Sequence, residues 1–151
     1  MNYKTESGAI IQYLGEEYDH QNVLNYSTKP EKALVKSWLH FQMSGQGPMY
    51  GQLAWFTRFR PDNIPSAVER YRAEVRRVLG VVEAHLNKTG QDYLVGDKAT
   101  IADLAFLPWN HALPWMLEDE FGWQDEFPGC FAWHGRLLAR EKVGKVLGSK
   151  R

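Results

Sequence analysis

The chain has 151 residues, the length of one domain and enough to bury a core without help from a metal or disulfides. Its 18 Lys and Arg balance its 18 Asp and Glu, and a formal charge of +0 argues against the concentrated basic surface that nucleic acid requires, or an adhesive membrane surface. The single cysteine, Cys130, excludes an intrachain disulfide framework and a structural zinc cluster, which suits a reducing compartment. No apolar run is long enough to span a bilayer, and the polar opening Met1 to Glu6 lacks the apolar stretch of a secretory signal.

Glu6 to Leu14 reads as a short helix with Ile10, Ile11 and Leu14 on one stripe. Ser7, or Glu6 before it, suits two roles that stay open: a local cap, or an anion site built from the hydroxyl, the first amides and the positive helix end. Residues 15 to 30 are polar and turn-rich, a connection to everything that follows. Pro30 then opens a long helix with Leu34, Trp38, Leu39 and Phe41 on its apolar side.

Ser44-Gly45-Gln46-Gly47-Pro48 interrupts that pattern, and a bend or break is predicted there, with the helix resuming over Met49 to Phe56. Gln42, Met43, Gln46, Tyr50 and Gln52 give the bend a mixture of apolar and hydrogen-bonding surface suited to a small-molecule cleft. A packing kink with an aromatic core is the alternative. Arg58 and Arg60 flank Phe59 with chemistry that fits a phosphate, although an exposed loop accounts for them more simply.

Ser66 is placed to cap a helix whose buried side is Val68, Tyr71, Val75, Val78, Leu79, Val82 and Leu86, ending at Asn87 to Gly90. Its basic residues are mixed with acids, which excludes a nucleic-acid recognition helix, and His85 reads as a local hydrogen-bonding residue. Thr100 and Asp103, ahead of an apolar run, form the pattern of a reciprocal N-cap, with Ala99 and Leu104 at the positions of a hydrophobic staple. This helix is predicted to run through the middle of a helical domain.

Pro108 and Pro114 require a kink, a restart or a turn. Trp109, Asn110 and Trp115 suit either a pocket wall or the core. The acidic run from Glu118 to Glu126 lacks the ligand spacing of a calcium loop and reads as solvated. Cys130 and His134 read as packing residues of a last helix, not a catalytic pair.

Taken together, Glu6-Ser7-Gly8-Ala9-Ile10, Gly96 to Asp103, Phe127-Pro128 and the later Ala132-Trp133 and Ala139-Arg140 resemble the later two-thirds of a soluble glutathione transferase. The run Phe41 to Gln52 is similar to the subgroup related to the yeast nitrogen-regulation prion protein and glutathione-dependent disulfide reductases. The resemblance implies an all-α fold: residues 1–17 as a remnant of a thioredoxin-like domain, 18–29 as a linker and 30–151 as the carboxy-terminal helical domain. It implies glutathione as cofactor, held by Glu6 and Ser7, with Ser7 bonded to its γ-glutamyl carboxylate. It also implies a small electrophilic or disulfide substrate beside Gln46, Pro48, Tyr50 and Trp109, a possible homodimer, a cytoplasmic location, and no metal, nucleic-acid or membrane partner.

The Ser, Tyr, Cys or Asn that serves the thiol in this family belongs to a strand and loop that no motif here matches, so no catalytic residue is assigned. Activity as a transferase or disulfide reductase therefore calls for a complete amino-terminal domain. A noncatalytic helical interaction or binding module is the alternative.

Overall fold

The computed structural model describes residues 6–117 and 121–147, and every element among them is helical, with no strand. Helix α1 (Ser7–Tyr18) runs a turn beyond Leu14, and Gly15 in that turn lets it close on its neighbours. A Cβ at Gly15 would lie 3.4 Å from Ile101 and closer still to the Asn25 amide.

Helix α2 (Lys29–Phe41) does not break at Pro48. It passes through a π-turn, Gln42–Gln46, into α3 (Gly47–Ala54), and through a second π-turn, Trp55–Phe59. The hydrogen bonds lengthen by one residue at both places: Gly47 N–H donates to Gln42 O, and Arg60 N–H to Trp55 O at 2.9 Å. A wider turn is one way for a helix to pass a prolyl ring, which has no amide and crowds the carbonyl four residues back. The predicted break is therefore absent, and the helical hydrogen bonding runs on through the stretch with a changed register.

Helix α4 (Pro65–Thr89) starts on its proline, with Ile64 at the N-cap and no side-chain cap, so Ser66 lies inside the first turn. Its buried residues are Val75, Val78, Leu79, Val82 and Leu86, on the stripe that the spacing predicts. Gly90 ends it in the left-handed conformation, φ 63°, with its N–H on Leu86 O at 2.8 Å. His85 Nε2 lies 2.8 Å from Leu94 O.

Helix α5 (Ile101–His111) is central and packs on α1, α2 and α8 (Pro128–Leu138). It runs through Pro108, and the chain restarts as α6 (Leu113–Leu117). Two short helices complete the described chain, α7 (Trp123–Glu126) before α8 and α9 (Glu141–Leu147) after it. Glu118, Asp119 and Glu120 of the acidic run lie outside the described residues. Glu83, on α4, caps α8 from a distance in sequence, accepting from Gly129 N–H at 3.1 Å and Cys130 N–H at 2.6 Å.

Thr100 and Asp103 form a capping box at the start of α5. Asp103 is fully buried and does more than cap. Its Oδ2 accepts from Thr100 N–H at 2.8 Å and from the Thr100 hydroxyl at 2.7 Å. Its Oδ1 accepts from Leu94 N–H and from Trp133 Nε1–H, both at 2.9 Å. The loop before α5, α5 itself and α8 thus meet at one carboxylate.

The connection between α1 and α2 is pinned to the same region. Asp19 accepts from Val23 N–H at 2.7 Å and Leu24 N–H at 2.8 Å. Leu24 O then takes the otherwise orphaned N–H of Ile101 at 2.9 Å. The Tyr26 hydroxyl donates to Val95 O or Asp97 Oδ1, each at 3.1 Å, and accepts from Asp97 N–H at 3.1 Å. Lys98 donates to Asn22 O and lies over the Tyr26 ring.

Two stability predictions follow from this packing. Thr100→Ala should cost about 0.5–2 kcal/mol, the value of an N-cap. Asp103→Ala should cost about 3 kcal/mol or more, since four donors, the N–H of Leu94, the N–H and hydroxyl of Thr100 and the indole N–H of Trp133, would lose their acceptor in the core. Urea unfolding of the two variants checks the order.

His134 is buried, with Nδ1 unpartnered, between the rings of Trp123 and His111. Burial, and then the charge of His111, pushes its imidazole from 6.5 down to about 4. Between those values the unfolded chain binds a proton that the folded one refuses, so stability should fall as pH drops from 6.5 towards 4. The slope should be shallower in His134→Leu, measured by urea titration at several pH values.

Candidate functional site

The start of α1 is unusual for a helix. Glu6 occupies the N-cap with φ 68°, a strained value for a residue with a side chain, and it makes no side-chain cap bond. The first backbone bond is Ile10 N–H to Glu6 O at 3.1 Å, which leaves the Ser7, Gly8 and Ala9 amides without a helical acceptor. The Ser7 hydroxyl is exposed and, among the described residues, donates to Met43 Sδ at 3.6 Å, a weak acceptor. Local capping therefore does not occupy either residue. The sequence-predicted anchor pair is adjacent, exposed, and set at a helix end whose first amides have no acceptor among the described residues, where an anion is favoured.

Beside it is a cavity of ≈ 510 Å³ lined by Glu6, Gly8, Ala9, Met43 and Ser44, with His40 and Leu39 from α2. Gly8 allows the close approach, since a Cβ there would lie 2.8 Å from Met43 Sδ.

The other predicted residues divide into two environments. Gln46 and Tyr50 are fully buried, at 0% exposure, and line no open surface. Gln46 Nε2 donates to Asn110 Oδ1 at 2.7 Å and lies 3.3 Å from Phe106 O, while the Tyr50 hydroxyl donates to the same Asn110 oxygen at 3.3 Å. Gln42 Nε2 donates to Gln46 Oε1 at 3.0 Å, and burial raises the Tyr50 phenol far above its ordinary range. Direct contact with a substrate, the expectation for Gln46 and Tyr50, is closed to them by this network, which fastens the π-turn to α5. Pro48 is exposed on the outside of the rod.

Trp109 does face an opening. With Trp55, Phe59, Trp115, Pro108 and Gly51 it lines an apolar groove of ≈ 550 Å³. Its indole lies across two glycines, since a Cβ on Gly47 would be 3.8 Å from Nε1 and one on Gly51 3.6 Å from Cη2. Trp55 and Phe59 stack with ring centroids 6.4 Å apart, and Phe59 approaches Trp115 at 5.7 Å. Sequence reasoning missed Trp55 and Phe59, although large aromatics just beyond a glycine-rich stretch were a signal. Of Trp109, Asn110 and Trp115, the two tryptophans form wall and the asparagine belongs to the core.

Cys130 is buried, its thiol pushed up by desolvation and then by Glu83, and it is unsuited to act as a nucleophile. Among the described residues no cluster of His, Cys, Asp and Glu could hold a metal, and no helix is long and apolar enough to cross a membrane.

Residues 47–141 match the glutathione S-transferase C-terminal domain. The chain belongs to the glutathione S-transferase family. It is 43% identical over 152 residues to the glutathione S-transferase-like protein gedE of Aspergillus terreus, covering 95% of this chain and 67% of that protein. It is 44% identical over 149 residues to glutathione S-transferase 2 of Schizosaccharomyces pombe, covering 91% of this chain and 64% of that protein. Among solved structures, the glutathione transferase URE2P6 from Phanerochaete chrysosporium, in complex with oxidized glutathione, superposes with TM-score 0.88 at 47% identity, over 95% of this chain and 65% of that one. The chain spans about two thirds of the length of these relatives.

The buried network predicts its own weak point. Asn110→Ala would take the 2.7 Å acceptor from the Gln46 amide, leaving it the longer bond to Phe106 O, and would remove the acceptor of the Tyr50 hydroxyl, which should cost about 2–4 kcal/mol. Urea unfolding measures the loss, and a shift in tryptophan emission would report movement of the neighbouring Trp109.

Proposed function

We propose that this chain carries the glutathione anchor and one wall of the second-substrate site of a glutathione transferase or glutathione-dependent disulfide reductase. The observation that carries the reading is the uncapped start of α1. The Ser7 hydroxyl and the free amides behind it suit the γ-glutamyl carboxylate. The Glu6 carboxylate beside them suits the α-amino group. The relative from Phanerochaete chrysosporium was solved with oxidized glutathione, which supports the ligand class.

The spacing of the two cavities supports it further. Met43, at the anchor, and Gly51, in the aromatic groove, are eight residues apart on one rod, about 12 Å along its axis. An extended tripeptide spans roughly 10 Å. The cysteine, the middle residue of glutathione held at Ser7, would lie roughly 5 Å from the anchor, part of the way to the groove, and an apolar electrophile or the aromatic part of a disulfide would span the remainder and lie against Trp109 and Trp115. The aromatic wall holds the substrate, while Gln46 and Tyr50 act from beneath by fixing the π-turn.

In the reaction the thiol of glutathione loses its proton, and the thiolate attacks either an electrophilic carbon, expelling a leaving anion from it, or a disulfide sulfur, breaking the S–S bond and releasing the other half as a thiolate that takes up a proton, with a second glutathione resolving the mixed disulfide to oxidized glutathione. Proximity and stabilisation of the sulfur anion provide the rate. No described residue near Ser7 is positioned as the donor for that sulfur, so turnover requires the thioredoxin-like domain characteristic of the family. Association into a homodimer forms part of the same proposal.

Titration of this chain with glutathione, followed by amide NMR, should show weak binding that moves Ser7 to Ala9 and is weakened at least several-fold in Ser7→Ala. S-hexylglutathione should bind more tightly, and Trp109→Ala should remove that advantage. No binding of either ligand, or binding indifferent to both substitutions, would reject the site. Binding that persists without turnover, even when a thioredoxin-like domain is fused ahead of residue 1, would favour a noncatalytic module.

A further inference from the structure

Trp109 brings a donor to the aromatic groove that the fold leaves unused. The side chain is half-buried, and its Nε1–H makes no hydrogen bond among the described residues. The nitrogen is not sealed in the core, as Nδ2 of its chain neighbour Asn110 is, so a ligand can reach it. The buried indole of Trp133 shows the usual alternative, with its Nε1–H given to Asp103 at 2.9 Å. In the free chain water can serve the Trp109 N–H. A purely apolar ligand lying over it would strip that water away and leave the donor without an acceptor, whereas a ligand oxygen would replace it.

The place of this N–H along the rod follows from the two glycines beneath the ring. A Cβ on Gly47 would lie 3.8 Å from Nε1, and one on Gly51 3.6 Å from Cη2, so the indole lies along the rod with its nitrogen at the Gly47 end. Gly51 lines the groove and Gly47 does not, which puts the N–H at the mouth. Met43 accepts from the Ser7 hydroxyl, and Gly47 is four residues further on, about 6 Å along the axis. The donor therefore stands where the cysteine of glutathione held at Ser7 would end and the second substrate begin.

We propose that the Trp109 Nε1–H is a specificity-determining donor that takes a carbonyl oxygen of the second substrate, placed between the atom that meets the sulfur and the ring that fills the groove. A mostly apolar pocket gains its selectivity from a few polar groups set at such points. The place given to the sulfur rests on the glutathione reading above, while the donor and the groove do not.

Two pairs of probes test this, each differing only by a carbonyl in place of a methylene. S-phenacylglutathione and S-phenethylglutathione reach from anchor to groove, and acetophenone and ethylbenzene need no anchor. Binding to the whole chain is followed in proton–nitrogen spectra, with the Trp109 indole signal identified by its loss in Trp109→Phe. S-phenacylglutathione should bind about threefold to tenfold more tightly than S-phenethylglutathione, the worth of one hydrogen bond. Acetophenone should move the Trp109 indole signal downfield, and ethylbenzene should not. Trp109→Phe, which keeps an aromatic wall, should equalise the two adducts, while Ser7→Ala should weaken both and preserve their ratio. A downfield shift with acetophenone but no binding of either adduct would support the donor and reject the glutathione anchor. Equal affinities within both pairs, or a shift confined to the Trp115 indole, would overturn the proposal. So would an indole proton on Trp109 already protected from exchange in the free chain, which would mean that the unpaired Oε1 of Gln42, whose amide also adjoins Gly47, holds it.

Discussion

The fold depends on a buried carboxylate. Asp103 has no exposed surface and accepts from Thr100, Leu94 and Trp133, which belong to the start of α5, the loop before it and α8. A charge taken out of water is tolerated only when its oxygens are fully engaged, and here each oxygen accepts two hydrogen bonds. The arrangement leaves no lone pair turned towards a cavity, so Asp103 organises the core and takes no part in chemistry.

What that carboxylate fixes is carried along α5 to the site. Asn110 lies at the far end of the same helix and accepts from Gln46 and Tyr50, so the register of the first π-turn is set against a helix that cannot shift. Trp109 is its chain neighbour and faces the other way, into the aromatic groove. Core and wall are consecutive residues, and disturbing one disturbs the other. The polar residues that look like site residues are buried scaffold, and the aromatics that look like core line an open groove.

That inversion explains which parts were legible in the sequence. The α4 stripe from Val75 to Leu86, the Gly90 stop and the Thr100–Asp103 cap all depend on residues within one or two turns, and the sequence displays them directly. The π-turn was hidden because two of the buried positions that continue the Val35, Leu39 face are Gln42 and Gln46, whose polarity reads as exposure until Asn110, far along the chain, is brought beside them. Glycines and a proline around them mimic a break. Glu83 capping α8 was hidden for the same reason, since its partners are Gly129 and Cys130. The family resemblance rests on motifs such as Glu6-Ser7, and the structure adds that those two residues are not occupied by local capping.

The segment from Asp19 to Thr28 has the composition of a tether but the bonding of a splint. Its Leu24 carbonyl completes the first turn of α5, Tyr26 grips the loop at Val95 and Asp97, and Lys98 reaches back to Asn22. Helix α1 is therefore joined to the helical body by a hydrogen-bonded connection, although the resemblance assigns it to a preceding domain. Any unit packed on α1 would inherit a fixed attitude towards the aromatic groove, and under the proposed function that would let these loop bonds help set the angle between thiol and substrate.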